Sequence, residues 1–305
     1  MVKNKELTAN VNRSDIHQEH QEHQEHQEHQ PPGWPPGHYY SPIPSISEIK
    51  EREVSVFGSI KNTVPGINLN ESAQLNLLEK FNEYYTSLPF SDNKKPELRY
   101  FFDNPYYSYG DAIILYCMMN FLRPRRIIEI GSGYSSCVIL DTNELVFNNE
   151  VKCIFIEPYP ERLFSLLKPI DRERNSIIQK KVQDVESDIF SELTRGDILF
   201  IDSSHVSKID SDVNHIFFRI LPLLASGVHI HFHDIGFPFE YPKEWIYDGR
   251  AWNEAYILRA FLQYNNHFKI LYFNVFIALY YPEKLMKYLP LCMKNPGASI
   301  WLERQ

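Results

Sequence analysis

Two short stretches of this sequence end in residues that could carry out chemistry together. "DILFIDSSH" ends in Asp202, Ser203, Ser204 and His205, and "VHIHFHD" ends in His233 and Asp234. If the two ends meet in space, two carboxylates and two imidazoles face one another. Asp202 and Asp234 are hard oxygen donors suited to Mg²⁺ or Mn²⁺, and His233 or His205 adds a nitrogen better matched to Mn²⁺, Fe²⁺ or Zn²⁺. A divalent metal, with Mg, Mn and Fe as the candidates, would then rest on Asp202, His233 and Asp234. It would lower the pKa of a bound hydroxyl, as it does for bound water. Asp202 and His205 are the candidate catalytic residues, with His205 taking the proton because imidazole titrates near neutrality. The plainer reading is that the acids shape loops and the histidines bond inside the domain. That reading is the expectation for His215, His229, His231 and His267.

A second group lies in "RPRRIIEIGSGYSSCVILDT", residues 123–142. An apolar run is followed at once by Gly131 and Gly133, with Ser132 between them and Ser135 just beyond, and Glu129 stands just ahead. Glycines permit a sharp strand-to-helix turn and a close approach of backbone to ligand. The helix that follows offers free N–H groups and a positive dipole end. Glu157 follows Gly133 at close to the roughly 20-residue spacing of an acid that holds ribose hydroxyls. Asp184, next to Gln183, ends a third apolar segment and could accept from an adenine amino group. Any one of these acids alone reads as a helix cap or a loop acid. Three of them at successive strand ends, after a Gly-x-Gly turn, read as an adenosine site.

A dinucleotide site would carry a third glycine where this chain has Ser136, and Glu129 would repel a pyrophosphate. Glu129 suits a cation instead. S-adenosylmethionine joins adenosine to an ammonium and a sulfonium, and it is the expected cofactor. Tyr106, Tyr107 and Tyr109 form a candidate lid, since aromatic faces attract a sulfonium; Tyr109 is counted with the cofactor residues.

The elements that would position these groups alternate. Strands are predicted over 126–131, 151–158, 175–185, 197–202, 228–234, 267–273 and 298–304. Helices are predicted over 135–145, 160–168, 188–193, 209–224, 251–264 and 282–292. Such βα repetition predicts an α/β fold, a doubly wound, mostly parallel seven-stranded sheet with ligands beyond the carboxyl ends of its strands. Ahead of it, residues 38–122 read as an N-terminal helical extension, with Asn68 and Glu71 as N-cap and N3 acid of an amphipathic helix and a buried helix starting near Asp111. Residues 1–37 contain a His-Gln-Glu repeat, from His17 onward, that has no apolar face, and the segment is expected to be a disordered tail. The remaining 123–305 is the predicted cofactor-binding domain.

"IIEIGSGYSS", "IFIEPYPERL", "QDV" and "DILFIDSSH" resemble the successive motifs of class I S-adenosylmethionine-dependent methyltransferases. The resemblance covers roughly residues 100–305. The longer run from "DILFIDSSH" through "HFHDIGFPFEYP", with "WNEAYILRAFL" and "ASIWLER", resembles a bacterial subgroup with a methyltransferase-24-type domain. Membership implies methyl transfer, S-adenosylmethionine at Glu129, Gly131, Ser132, Gly133, Ser135, Glu157 and Asp184, and a last strand that runs antiparallel beside the sixth. Asp202 and His233-Asp234 resemble the acid positions of metal-dependent O-methyltransferases of the catechol and macrolide-sugar types. The chain departs from the family at Ser135, where the loose acid-x-Gly-x-Gly-x-Gly pattern has its final glycine, and at His233, where an acid is usual. The implied activity is O-methylation of a small-molecule or sugar hydroxyl. Two other classes stay open: an iron-dependent oxidoreductase or hydroxylase on the same scaffold, and a binding module without turnover.

Composition sets the outer bounds. The 305 residues are 43% hydrophobic and 14% aromatic, enough for a sizeable core. A formal net charge of −8 argues against a sequence-independent grip on nucleic acid. The four cysteines, Cys117, Cys137, Cys153 and Cys292, show no paired spacing and are expected to be reduced. The polar N-terminus is not a signal peptide, and no apolar run would span a bilayer. The expectation is a soluble, cytoplasmic protein with a small-molecule acceptor and neither nucleic acid nor membrane as partner; a homo-oligomer is left open.

Overall fold

The computed structural model describes residues 33–58 and 60–305, so the His-Gln-Glu repeat lies outside the described residues. The chain divides into two compact units, Met1–Arg52 and Glu53–Gln305. The described part of the first ends in a short helix, Ile46–Glu51, whose N-cap Ser45 accepts from the Glu48 N–H.

The second unit is built on a seven-stranded sheet. Its strands are β1 (Arg126–Ile130), β2 (Lys152–Ile156), β3 (Ser176–Ile178), β4 (Ile198–Ile201), β5 (His229–Phe232), β6 (Phe268–Phe273) and β7 (Ile300–Arg304), in the order β3-β2-β1-β4-β5-β7-β6. The first five are parallel. β7 is antiparallel to both β5 and β6 and lies between them, as the resemblance implied. The central strands are largely apolar because both faces are covered, and β4 and β5 are buried at every position. Phe200 is fully buried and stacks on the His231 ring at 3.9 Å. Truncating such a ring to Ala typically costs about 3–5 kcal/mol.

Four helices position the site: α1 (Glu71–Tyr85), α2 (Tyr109–Leu122), α3 (Tyr134–Phe147) and α4 (Glu254–Leu262). α2 is buried from Gly110 to Met119, an interior helix rather than an amphipathic one. Its first turn is fixed by Asp111, whose carboxylate accepts from Ser299 Oγ at 2.6 Å and Asn274 Nδ2 at 3.1 Å. Just upstream, buried Arg99 donates through Nη1 to Asp141 of α3 and through Nε to Asp171, each at 2.7 Å. Removing one partner of such a buried pair costs about 3–5 kcal/mol. These two anchors hold the tyrosine loop between them against the sheet.

Several local expectations change. β3 stops at Ile178, because the polar run Gln179-Lys180-Lys181 offers no apolar face and a 3₁₀ turn, Val182–Asp184, takes over. The helix expected over 209–224 is α-helical only at Asp212–His215, then π-helical to Ile220 and 3₁₀ over Leu221–Leu223, where Pro222 lacks an N–H. A helix over Asn274–Tyr280 was not foreseen. The N-cap of α1 is Asn70, in the left-handed region, and not Asn68. Asn68 instead accepts from the Asn70 N–H at 2.9 Å, and Asn70 Nδ2 reaches the Ile270 carbonyl of β6.

Candidate active site

The tip of β1 turns where its two neighbours leave least room. Gly131 N–H donates to the Ile156 carbonyl at 3.0 Å, and Asp202 N–H donates to the Ile130 carbonyl at 2.8 Å. Gly131 has φ +77, and a Cβ there would lie 1.9 Å from the Asp202 carbonyl oxygen, so only glycine fits. Gly133 is different. It is extended and serves as the N-cap of α3, and an added Cβ would meet only Arg162 Cδ, at 3.7 Å.

Glu129 lies fully buried beneath this turn. Ser136, in the first turn of α3, accepts from the Gly133 N–H at 3.0 Å and donates a short hydrogen bond to Glu129 Oε2. Ser135, also buried, and Ser132 lie close enough to the same carboxylate to lower its pKa. Burial pushes the Glu129 pKa up to about 8 against the pull of these hydroxyls. Glu129 Oε1 and Ser132 Oγ are buried with no hydrogen-bond partner. Orphaned acceptors of that kind are costly unless a ligand meets them. A cationic donor at the end of β1 fits both the charge and the vacant lone pairs.

The strand order lines up two more acids beside Glu129. Glu157, half-buried at the tip of β2, accepts from the Ser132 N–H through Oε2 at 3.0 Å and from the Tyr159 N–H through Oε1 at 2.9 Å. Burial raises its pKa, and the two N–H groups pull it back. One backbone donor on each oxygen fixes the carboxylate and leaves lone pairs for vicinal hydroxyls. Asp184 is exposed beyond β3, while Gln183 donates to the Asp210 carbonyl. Glu129, Glu157 and Asp184 thus follow one another across β1, β2 and β3, in the order an amino-acid end, a ribose and an adenine would need. The set fits S-adenosylmethionine.

The tyrosine loop does not behave as one lid. Asn104 Oδ1 accepts from the Tyr106 and Tyr107 N–H groups, which shapes the loop. Tyr107 is buried, donates to the Asp111 carbonyl and lies 5.2 Å from the His233 ring. Tyr106 stacks on Tyr134 of α3 at 6.0 Å, and the Arg162 guanidinium lies 4.2 Å from its ring centroid. Tyr109 is not brought to the turn: its ring stacks on Phe102, and its hydroxyl accepts from Lys294, which pairs with Asp92.

At the tips of β4 and β5 the four residues first considered do meet. His205 Nε2 lies 3.6 Å from both Asp202 Oδ1 and Asp234 Oδ2, and His233 Nε2 lies 3.6 Å from Asp234 Oδ1. His205 Nδ1 pairs with Glu254 Oε2 at 2.9 Å, and Glu254 Oε1 accepts from Ser203 Oγ at 2.9 Å. Glu254 is buried at the start of α4. His205 and Asp234 both have positive φ, +60 and +55, a conformation that costs non-glycine residues of order 1–3 kcal/mol. The cost is offset by anchoring: the His205 carbonyl accepts from the Asn253 and Glu254 N–H groups, and its N–H donates to Ser203 Oγ.

Electrostatics at this tip favour a charged imidazole. Burial alone would lower the His205 pKa, but Glu254, Asp234 and Asp202 together push it up to about 9. Burial likewise opposes His233, whose pKa is raised by Asp234, Asp202 and Asp111. Asp202 is raised by burial, against the pull of both histidines.

The expected metal ligands do not form a metal centre as arranged. Among the described residues, no three His, Cys, Asp or Glu side chains are placed to hold an ion. The physical reason is His205: its ring, fixed from behind by Glu254, stands between the two carboxylates that were to share the metal. His229 and His231 lie deeper in β5, and the four cysteines are buried free thiols.

Ser136, Glu254 and Trp252, whose ring lies 4.4 Å from that of His205, were missed by reasoning on sequence alone. Ser136 carried a signal, being a hydroxyl at N3 of a helix that opens over a buried acid. Glu254 lies in "WNEAYILRAFL", where an acid opens a helix after Asn253, and that pattern reads equally well as ordinary capping.

A methyltransferase-domain family model of the methyltransferase-24 type matches residues 128–235. A protein of Archaeoglobus fulgidus described as "uncharacterized protein" is 37% identical over 164 residues, covering 52% of this chain and 73% of that protein. The chain is also similar to an apo structure of CmcI, at 19% identity over 65% of this chain and 72% of that one, with a TM-score of 0.41. A second similar structure is the S-adenosylhomocysteine-bound methyltransferase PaMTH1 of Podospora anserina, at 13% identity over 86% and 98% of the two chains, with a TM-score of 0.43. The family match runs from within β1 to just past the β5 tip, and so spans Glu129, the glycine turn, Glu157, Asp202, His205 and Asp234. With that match and the seven-stranded sheet order, residues 128–235 belong to a methyltransferase domain of the methyltransferase-24 type, set in a class I, Rossmann-like methyltransferase fold.

Proposed function

We propose that this protein transfers the methyl group of S-adenosylmethionine to a hydroxyl oxygen of a small molecule, with His205 as the general base. The observation that carries the reading is the Glu254–His205 pair at the β4 and β5 tips, beside the turn whose Gly131 is packed against Asp202. When bound, the cofactor supplies an electrophilic methyl on a positively charged sulfur.

The chain's own residues do the rest. Glu129 balances the cationic end of the cofactor, Glu157 orients the ribose, and the free N–H groups at the start of α3 face the same cleft. The acceptor hydroxyl would give its proton to His205 Nε2 as its oxygen takes the methyl carbon and the methyl–sulfur bond breaks, with neutral S-adenosylhomocysteine as the leaving group. Glu254 stabilises the imidazolium that results and holds the ring in one orientation, with Ser203 fixing the carboxylate. Tyr107 and Trp252 wall the acceptor side and exclude water. Holding acceptor and donor in line contributes on the order of 7–11 kcal/mol to lowering the barrier. In this reading residues 123–305 form the catalytic domain, and 38–122 supply the tyrosine loop and its anchors.

The test is a calorimetric titration with S-adenosylmethionine, with and without a chelator, followed by a methyl-transfer screen over hydroxylated small molecules. Expected are cofactor binding and turnover that survive chelation. His205→Ala should lower the rate by roughly 10²–10⁴ with cofactor affinity kept. Absence of cofactor binding, or full activity in His205→Ala, would sink the proposal. Activity that disappears on chelation and returns with Mg²⁺ or Mn²⁺ would restore the metal reading.

A further inference from the structure

The wall beside His205 carries a cation that no side chain among the described residues neutralises. Trp252 is met edge-on by Trp245, at 5.4 Å between ring centroids, and by Tyr241, at 5.9 Å. Above the two indoles lies Arg250, its guanidinium carbon 4.6 Å from the Trp245 centroid and 5.1 Å from that of Trp252. All three residues are half-buried. Among the described residues, the Arg250 side chain makes no ion pair and no hydrogen bond; only its backbone N–H is engaged, by the Trp245 carbonyl. Two acids of the same region are committed elsewhere, Glu254 to His205 and Ser203, and Glu240 to the Tyr256 hydroxyl.

Contact with an aromatic face holds a guanidinium through its plane and leaves its N–H edge available. That edge carries five donors in a fork that matches a carboxylate or a phosphate. A chain of net charge −8 that keeps one such fork unpaired beside its proposed base has a binding group for an anion there. Trp252 adds a flat apolar face between the fork and His205, suited to an aromatic ring.

We infer that the methyl acceptor is a hydroxylated aromatic ring bearing an anionic substituent, with the ring against Trp252, the hydroxyl at His205 and the anion on Arg250. The inference rests on the methyl-transfer reading above and names its substrate class. The centroid distances, 4.4 Å from His205 to Trp252 and 5.1 Å from Trp252 to Arg250, taken end to end, restrict the acceptor to about one ring and its substituents. Carboxylate and phosphate share the chemistry that the fork recognises.

The test uses the full chain saturated with S-adenosylhomocysteine and three probes: protocatechuate, its neutral methyl ester, and hydroquinone phosphate. Binding is measured by calorimetry for wild type, Arg250→Gln, Arg250→Lys and Trp252→Leu, with melting temperatures recorded alongside. Wild type should bind one of the anions at least roughly tenfold more tightly than the ester. That preference should fall to near unity in Arg250→Gln and be partly kept in Arg250→Lys, while Trp252→Leu weakens every probe. Equal binding of anion and ester by wild type overturns the inference. So does a preference that survives Arg250→Gln, even where that variant melts earlier, because Arg250 then serves only to hold its loop. Methylation of the ester as efficiently as of the anions, lost in His205→Ala, would end the anion inference alone. Cofactor binding with no methyl transfer to any hydroxyl would end the reading beneath it.

Discussion

Glu254 Oε2 lies 2.9 Å from His205 Nδ1, across 49 residues of chain. The contact joins the start of α4 to the loop after β4 and decides which nitrogen faces which partner. Nδ1 is committed to Glu254, so Nε2 is the nitrogen presented to Asp202 and Asp234. The same contact supports the strained His205 backbone, because the Glu254 N–H also donates to the His205 carbonyl.

This pair predicts two pH effects with definite signs. The folded pKa of His205 is raised to about 9 from an ordinary 6.5. The imidazolium therefore contributes stability that is fully present below pH 6.5 and lost as the pH rises through about 9, on the order of 3 kcal/mol. Urea unfolding across that range should show the loss, and Glu254→Gln should flatten it. The methyl-transfer rate, which needs the neutral ring, should rise with pH toward about 9 in wild type. In Glu254→Gln it should be roughly 10²-fold lower, with its inflection moved down. A profile with no inflection anywhere in that range would remove His205 as the base.

Binding of a cation at Glu129 predicts a proton release. The buried carboxyl, with its pKa pushed up to about 8, is largely protonated at neutral pH. This group contributes stability to the free protein that is present below the ordinary 4.5 and lost as the pH rises through about 8. A neighbouring ammonium or sulfonium favours the carboxylate and drives the proton into solvent. Calorimetry with S-adenosylmethionine in buffers of differing ionisation enthalpy, between pH 4.5 and 8, should therefore show close to one proton released. In Glu129→Gln the release should vanish and affinity should fall roughly tenfold or more. Buffer-independent heats in wild type would mean that no cation sits beside Glu129.

The two glycines of the turn should differ sharply. Gly131→Ala places a Cβ 1.9 Å from the Asp202 carbonyl at a positive φ, so the β1 and β4 tips must part. A loss of several kcal/mol, flagged by a large drop in melting temperature and in cofactor binding, is expected. Gly133→Ala meets only a flexible arginine stem at 3.7 Å. It should melt within a few degrees of wild type, so that any loss of cofactor affinity reports the ligand-facing backbone rather than the fold. Equal melting of the two variants would contradict the packing described at the β1 tip.

Much of this molecule was legible in its sequence. All seven strands fall where apolar runs alternate with helical segments, because a strand buried on both faces needs an unbroken apolar run and a glycine or polar turn to end it. The acids at the tips of β1 and β2 are local features of those runs, as are Asp202 and Asp234, and parallel pairing brings them to one edge whatever the loops do. Glu129 was readable as a candidate acid for a cation because it precedes the turn that Gly131 opens.

Other features were decided by the tertiary structure. No periodicity near His205 announces Glu254, because the imidazole's partner arrives on another helix, and that partner sets the His205 ring between the Asp202 and Asp234 carboxylates. Tyr109 and Tyr107 are interchangeable by type and spacing, yet the anchoring of α2 by Asp111 and of its loop by Asn104 sends Tyr107 toward His233 and Tyr109 toward Lys294. Residue order thus determined which groups stand at the strand tips. Burial and long-range contacts determined which nitrogen, which tyrosine and which charge each tip presents, because those depend on distant segments brought together only when the chain folds.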